Sequence, residues 1–167
     1  MKLSSCGFTL VELMVTICVA SIILGIGVPS LKSLMAHYQA STTLQQLRQA
    51  IWLARNQAIS YGARTTLCHL ENNNCNQNLW QQGVTVFVDI NGNFQKDDGE
   101  PVLYESGEFG GEADISFNRQ AIRFLPTGLA SGMNGTLSYC PQESGVDAQA
   151  IIVNQAGRIH LSDNTNC

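Results

Sequence analysis

Charge is what this sequence has least of. Only 13% of its 167 residues are Asp, Glu, Lys or Arg, a low density for a chain surrounded by water, and the deficit is concentrated at the front. Residues 8–31, FTLVELMVTICVASIILGIGVPSL, carry the single charge of Glu12, and residues 32–64 contain no acid. Catalytic signatures are missing as well. His37, His69 and His160 stand at no metal-ligand spacing, no GxSxG turn exposes a nucleophile, and no glycine-rich loop is placed to cradle a phosphate. The acids clustered at 97–100 read as a solvated loop rather than a catalytic pair, so the chain is expected not to be an enzyme. Internal repeats and low-complexity tracts are absent too, and GEFGGEAD reads as a flexible loop.

The front third is where the apolar residues gather. The 24 residues from Phe8 to Leu31, at about 1.5 Å each, make about 36 Å of helix, enough to cross a hydrocarbon core of about 30 Å. A cleavable secretory signal has a shorter, charge-free core followed by a small-x-small site, which does not describe this run. Glu12 is the anomaly, because a carboxylate at bilayer depth costs roughly 2.5 kcal/mol or more unless something pairs with it. Beyond Pro29, Leu44, Leu47, Ile51, Ala54, Ala58 and Tyr61 recur at steps of three and four and so share one helical face, and Gly62 supplies a stop. The spacing predicts one long helix over residues 8–61, apolar all round in its first half and amphipathic in its second, kinked or locally melted at Pro29 with help from Gly25 and Gly27.

The remaining charges are sorted. Lys32, Arg48, Arg55 and Arg64 make residues 32–64 basic, whereas residues 65–167 set four bases against twelve acids. An acidic head repels phosphate backbones, which argues against wholesale binding of nucleic acid. Of six cysteines, Cys6 precedes the apolar run and Cys18 lies within it, leaving Cys68, Cys75, Cys140 and Cys167 in the head. An even number in a domain projected outward from a membrane suggests disulfides in an oxidising compartment. Three connectivities are open. Pairing Cys68 with Cys75 across HLENNN, and Cys140 with Cys167 to tie down the C-terminus, is favoured; zinc is the competing reading, against which stands the lack of CxxC or HxxxH spacing.

After Gly62 the segments ARTTLCHL, GVTVFVDI, PVLYES, ADISFN, AIRFLP, GTLSYC, AIIVNQ and GRIHLS read as short strands divided by Gly, Asn, Asp and Pro clusters. Close spacing favours antiparallel pairing, and the amphipathic helix needs an apolar surface for its stripe. The expected fold is α+β: a long N-terminal helix packed on an antiparallel β-rich head.

A short basic leader ending in glycine, followed by Phe-Thr-Leu-Val-Glu and an apolar helix, resembles the class III signal of type IV pilins and type II secretion pseudopilins. The resemblance implies a pilin-like fold, cleavage by prepilin peptidase between Gly7 and Phe8, and methylation of the new N-terminus at Phe8. It also offers Glu12 a partner, the amine of Phe8 on a neighbouring subunit: two charges costly alone and less so together, favouring docking in register. Further along, LWQQGVTVFVDINGNFQKDDGEPVLY, IRFLPTGLASGMNGTLSYC and IIVNQAGRIHLS are similar to three consecutive blocks of the GspH/FimT group. That implies a low-abundance structural subunit of a type IV pilus, at or near its tip and aiding assembly, or alternatively a minor pseudopilin of type II secretion. The organisation implied is a leader over 1–7, a transmembrane helix over 8–31, an amphipathic stalk over 32–62 and a head over 63–167. Partners would be other pilin or pseudopilin subunits, the peptidase, the inner-membrane assembly platform and membrane lipid. The place would be the bacterial inner membrane, single-pass with a periplasmic head, then a filament.

Two constellations in the head stand apart. Asp89, Asn91, Asn93, Asp97 and Glu100 occupy the first, third, fifth, ninth and twelfth positions of an EF-hand-style loop, making calcium a candidate ligand, yet Phe94 stands where that loop needs glycine and the flanks read as strands. Gly157, Arg158 and His160 approach the Gly-Arg-x-Arg motif by which some FimT-type pilins bind DNA, with histidine in place of the second arginine. Arg119 and Arg123 could join them in a basic patch. A β-turn glycine followed by an edge-strand arginine is the favoured alternative, and a DNA-binding competence pilin ranks behind the two filament readings.

Overall fold

The computed structural model describes residues 9–130, 132–163 and 167. A single helix, α1, runs over Leu10–Tyr61, 52 residues. It begins where Thr9 caps it: the Thr9 Oγ1 accepts the backbone N–H of Glu12 at 3.2 Å, so Thr9 and Glu12 stand at the spacing of a capping box. It ends where Gly62 turns left-handed, φ 61° and ψ 24°, with its N–H donating to the Ile59 carbonyl. The expected melting at Pro29 does not occur, since helix continues through it without a break. Proline withholds one N–H from the carbonyl four residues back, that of Gly25, and the helix is carried on either side by its remaining bonds.

The strands are β1 (Thr65–Glu71), β2 (Asn74–Asn76), β3 (Thr85–Val88), β4 (Val102–Glu105), β5 (Ala113–Phe117), β6 (Ile122–Phe124), β7 (Gly135–Pro141), β8 (Gln149–Val153) and β9 (Ile159–Ser162), with a 3-10 turn at Trp80–Gln82. Every pairing is antiparallel. One sheet runs β2-β1-β3-β4, with β6 also on β1; the other runs β5-β7-β8-β9. Each of the eight expected strand segments overlaps one of these strands, which overruns it by no more than a residue, and β2 is additional.

The lower half of α1 lies on the first sheet and on β7. Leu44, Leu47, Ile51, Ala54 and Ala58 are buried against Leu67, Val86, Ile122, Phe124, Leu137 and Ile151 in one core, each large side chain contributing about 1.5–3 kcal/mol. Ala40, Ala50, Ala54 and Ala58 keep the buried face small-sided, which lets the helix approach the sheet closely. Tyr61, expected on that face, is instead 55% exposed at the last position of the helix. In the first half of α1, by contrast, an 18-residue apolar window has none of its residues buried, and it is long and apolar enough to cross a membrane.

GEFGGEAD is pinned rather than free. Phe109 is buried in the core, and its N–H donates to the Gln81 carbonyl at 3.1 Å.

Candidate functional site

Gly7 and Phe8, the expected processing and methylation positions, lie outside the described residues. Glu12 lies inside them, in the first turn of α1, where a carboxylate complements the helix dipole. Around it Leu10, Val11, Leu13, Met14 and Val15 are all more than half exposed. Glu12 is thus a single acid on an apolar rod that no part of the head covers.

In the head, disulfides join Cys68 to Cys75 and Cys140 to Cys167. The first closes the β1–β2 hairpin and belongs to a second small core, Cys68, Cys75, Phe87 and Ala121, with Leu70 and Phe94 packed on it. The second fixes Cys167 to β7. The zinc alternative therefore has no thiolates left to it in the head, and among the described residues no group of three or more His, Cys, Asp and Glu could hold a metal ion.

The loop at calcium spacing is built around anions that already have donors. Asp89 is fully buried; its Oδ2 accepts from Thr66 Oγ1 and from the Arg123 guanidinium, each at 2.7 Å, and its Oδ1 accepts the Asn93 N–H at 3.1 Å. Glu100, also buried, accepts the N–H of Ile90 on one oxygen (2.8 Å) and that of Asp97 on the other (2.9 Å). The side-chain amides of Asn91 and Asn93 both donate to Asp97 Oδ2, at 2.7 and 2.9 Å. Five residues are brought into one loop, as their spacing suggested, but their carboxylates face N–H groups and a guanidinium instead of converging on an empty centre.

Phe94 occupies the left-handed region, φ 64°, which costs a non-glycine residue roughly 1–2 kcal/mol. The loop's packing offsets it: the Arg123 guanidinium carbon sits 3.5 Å from the Phe94 ring centroid, and the Phe94 carbonyl accepts the Cys75 N–H at 3.0 Å. Lys96 N–H donates to the Asn73 carbonyl, and Asn74 bridges Gln95. The loop and the disulfide-closed hairpin interlock. Burial lowers the Arg123 pKa from its ordinary value; the charge and hydrogen bond of Asp89 oppose this, and Arg64 adds to it.

Arg158 and His160 are exposed at the β8–β9 turn and on β9. Arg119 and Arg123 do not join them: Arg123 is committed to Asp89, and Arg119 Nε donates to the Asn134 carbonyl at 3.3 Å. The cations beside Arg158 come from the helix, Arg48 and Arg55. They escaped the sequence reading because the contact is long-range, and so did the buried pair of Arg123 with Asp89. A signal for the latter existed, an aspartate directly after the apolar strand residues TVFV.

The family described as Type II transport protein GspH matches residues 43–157, and the prokaryotic N-terminal methylation motif matches residues 2–28. The chain belongs to the GspH family. Two crystal structures of the type IV minor pilin FimU of Pseudomonas aeruginosa strain PAO1 share its fold, with TM-scores of 0.59 and 0.57 at 17% identity; the matches cover 75% and 73% of this chain and 89% and 91% of FimU. At that identity the likeness establishes the architecture, a long N-terminal helix on antiparallel sheets. No curated protein matches the chain.

Proposed function

We propose that this chain is a minor pilin-like structural subunit, cut after Gly7 by prepilin peptidase, methylated at Phe8, and incorporated near the tip of a type IV pilus, where it aids assembly. The observation that carries this is the division of α1. Its first half is apolar and uncovered while its second half is sealed onto the head, so one element serves as membrane anchor and filament core without any change in the fold of the head. We assign residues 1–7 to the leader, 8–31 to the span, 32–62 to the stalk and 63–167 to the head. Insertion in the inner membrane would leave the head in the periplasm, where both disulfides are stable. Other pilin subunits and the assembly platform are the partners of such a chain.

A role as a minor pseudopilin of type II secretion is the second reading, favoured by the description of the family matched over residues 43–157. The two share an N-terminal chemistry. Intact mass and N-terminal analysis of protein from its own host membranes tests both at once. A chain starting at methylated Phe8 is expected; a chain starting at Met1 would remove the amine partner of Glu12 and with it the assembly mechanism. Secretion and piliation of a strain lacking the chain then separate the two machines.

A further inference from the structure

One flank of the head presents a groove lined by three arginines and no acid, with Asp147 in the adjoining hollow that shares Gln45 and Arg48. Arg48 and Arg55 of α1 and Arg158 ahead of β9 line a groove of about 630 Å³ together with Gln45, Gln49 and Trp52, whose indole is 62% exposed. Among the described residues none of the three guanidinium groups lies within ion-pair distance of a carboxylate. The floor of the groove is fixed. Arg55 Nε donates to the Gly128 carbonyl at 3.1 Å and its NH2 to the Ala156 carbonyl at 3.4 Å. Gly128 and Gly157 both have left-handed φ, 77° and 74°, and a Cβ on Gly157 would overlap the Gly128 carbonyl oxygen. Gly157 therefore serves the close approach of two turns over Arg55.

The other flank is the electrostatic complement. Glu105, Glu108, Glu112 and Asp114 are exposed on the segment 105–114, which buried Phe109 and the Ser106 N–H, bound to the Val84 carbonyl at 2.9 Å, hold in place. Glu108 lies beside Tyr38, Thr42 and Gln46 of the helix, and Glu112 beside Gln39. At about 100° per residue, Gln39 and Gln46 are about 160° around the helix from Arg55 and Arg48. Groove and acidic segment thus face away from each other, and they are offset along the axis by about ten residues, about 15 Å.

We propose that the groove docks the acid-rich segment 105–114 of a second copy of this chain standing parallel beside it. Such a contact joins two different surfaces, so the two copies stand staggered along the axis rather than as a symmetric pair. Trp52 supplies the apolar anchor and the arginines the register. The contact need not be large, because two copies held by their helices in one membrane meet at high effective concentration. Nucleic acid is the poorer occupant. A polyanion tracking across this head meets twelve acids against four bases over residues 65–167, whereas a short acidic loop brings its few carboxylates only to the arginines.

The proposal rests on the membrane-anchored subunit reading, and the test separates the two. A photo-crosslinking residue replacing Gln49 in the full-length chain, irradiated in host membranes, should give a covalent dimer whose adduct maps to residues 105–114. Arg48→Glu with Arg158→Glu should abolish that dimer, and Arg48→Lys should retain it. A second, tagged copy carrying Glu108→Lys and Glu112→Lys should restore it to the reversed groove. An adduct on another protein, on nucleic acid or elsewhere in the head overturns the proposal, as does the lack of any adduct in chains that are processed and anchored. An unprocessed chain that still gives the mapped dimer would defeat the filament reading and leave the docking surface standing.

Discussion

The Arg123 guanidinium lies 2.7 Å from the Asp89 carboxylate, with the arginine side chain 11% exposed and the aspartate fully enclosed. Thr66 completes the set: its hydroxyl donates to Asp89 and accepts from Arg123 Nε at 3.1 Å. The pair ties β1, β6 and the loop after β3 to one point. Arg123→Ala should therefore lower the stability of the head by about 3–5 kcal/mol, since it strands a buried charge. Asp89→Asn combined with Arg123→Met should recover part of that loss. Denaturant unfolding of the full-length chain in detergent measures both; equal losses in the single and double variants would show that the charge pair is not what holds the loop.

The periodicity of Leu44, Leu47, Ile51, Ala54 and Ala58 made the buried face of α1 legible, because a helix packed on one sheet needs a stripe and nothing else. Strands were legible for a similar reason: β5, with Ile115 and Phe117 inward and Asp114 and Ser116 outward, writes its two faces into the chain. The short strand β2 could not be read from Asn-Cys-Asn, since a disulfide and the bridge of Asn74 to Gln95 make it a strand rather than any hydrophobic pattern. The Asp89 loop shows the limit of spacing arguments. Its residue types and intervals suit calcium, and only the positions of Arg123 and Thr66, remote in sequence, reveal that the carboxylates already have partners.

Calcium in excess should accordingly leave the melting temperature of the head unchanged, and chelation should not lower it. Binding of the ion to the native state raises stability in proportion to the logarithm of its concentration over Kd. A rise with added calcium, abolished by Glu100→Gln, would mean that Glu100 exchanges its two backbone donors for a cation.

The two disulfides should differ in their worth. They close loops with sequence separations of 7 and 27 residues, for which chain entropy suggests roughly 2–3 and 3–4 kcal/mol. Replacing Cys140 and Cys167 together by serine should thus destabilise the head more than replacing Cys68 and Cys75, as judged by denaturant midpoints. The opposite order would show that the small core around Cys68, Cys75 and Phe94 outweighs loop length.

Alkaline pH should expose Tyr139. Its side chain is buried on β7, and burial raises its pKa from the ordinary value of 10.0. The folded chain then keeps a proton that the unfolded chain gives up, so the stability contribution is complete below pH 10 and is lost as pH rises through the higher folded value. Tyr139→Phe should flatten the fall in stability above pH 10. An unchanged slope would place the alkaline sensitivity elsewhere.

Glu12 allows the most direct test of assembly. It is uncovered by the head and lies among exposed apolar residues of α1, so its substitution leaves the core untouched and any effect reports on contacts outside this chain. Glu12→Ala should be cleaved normally, because the peptide bond at Gly7 is unaltered, and should fold with unchanged stability. Its incorporation into filaments should nevertheless fall steeply, since on the proposed pairing the amine of a neighbouring Phe8 would then enter the membrane without a counter-charge. Glu12→Gln distinguishes charge from shape. If the glutamine variant assembles like the parent, the carboxylate acts as a hydrogen-bond acceptor and the charge-pair account fails; if it assembles no better than alanine, charge is the quantity that sets the register. Gly7→Leu completes the series. It should leave the leader attached and the amine unformed, so that adding Glu12→Ala to it should cost assembly nothing further.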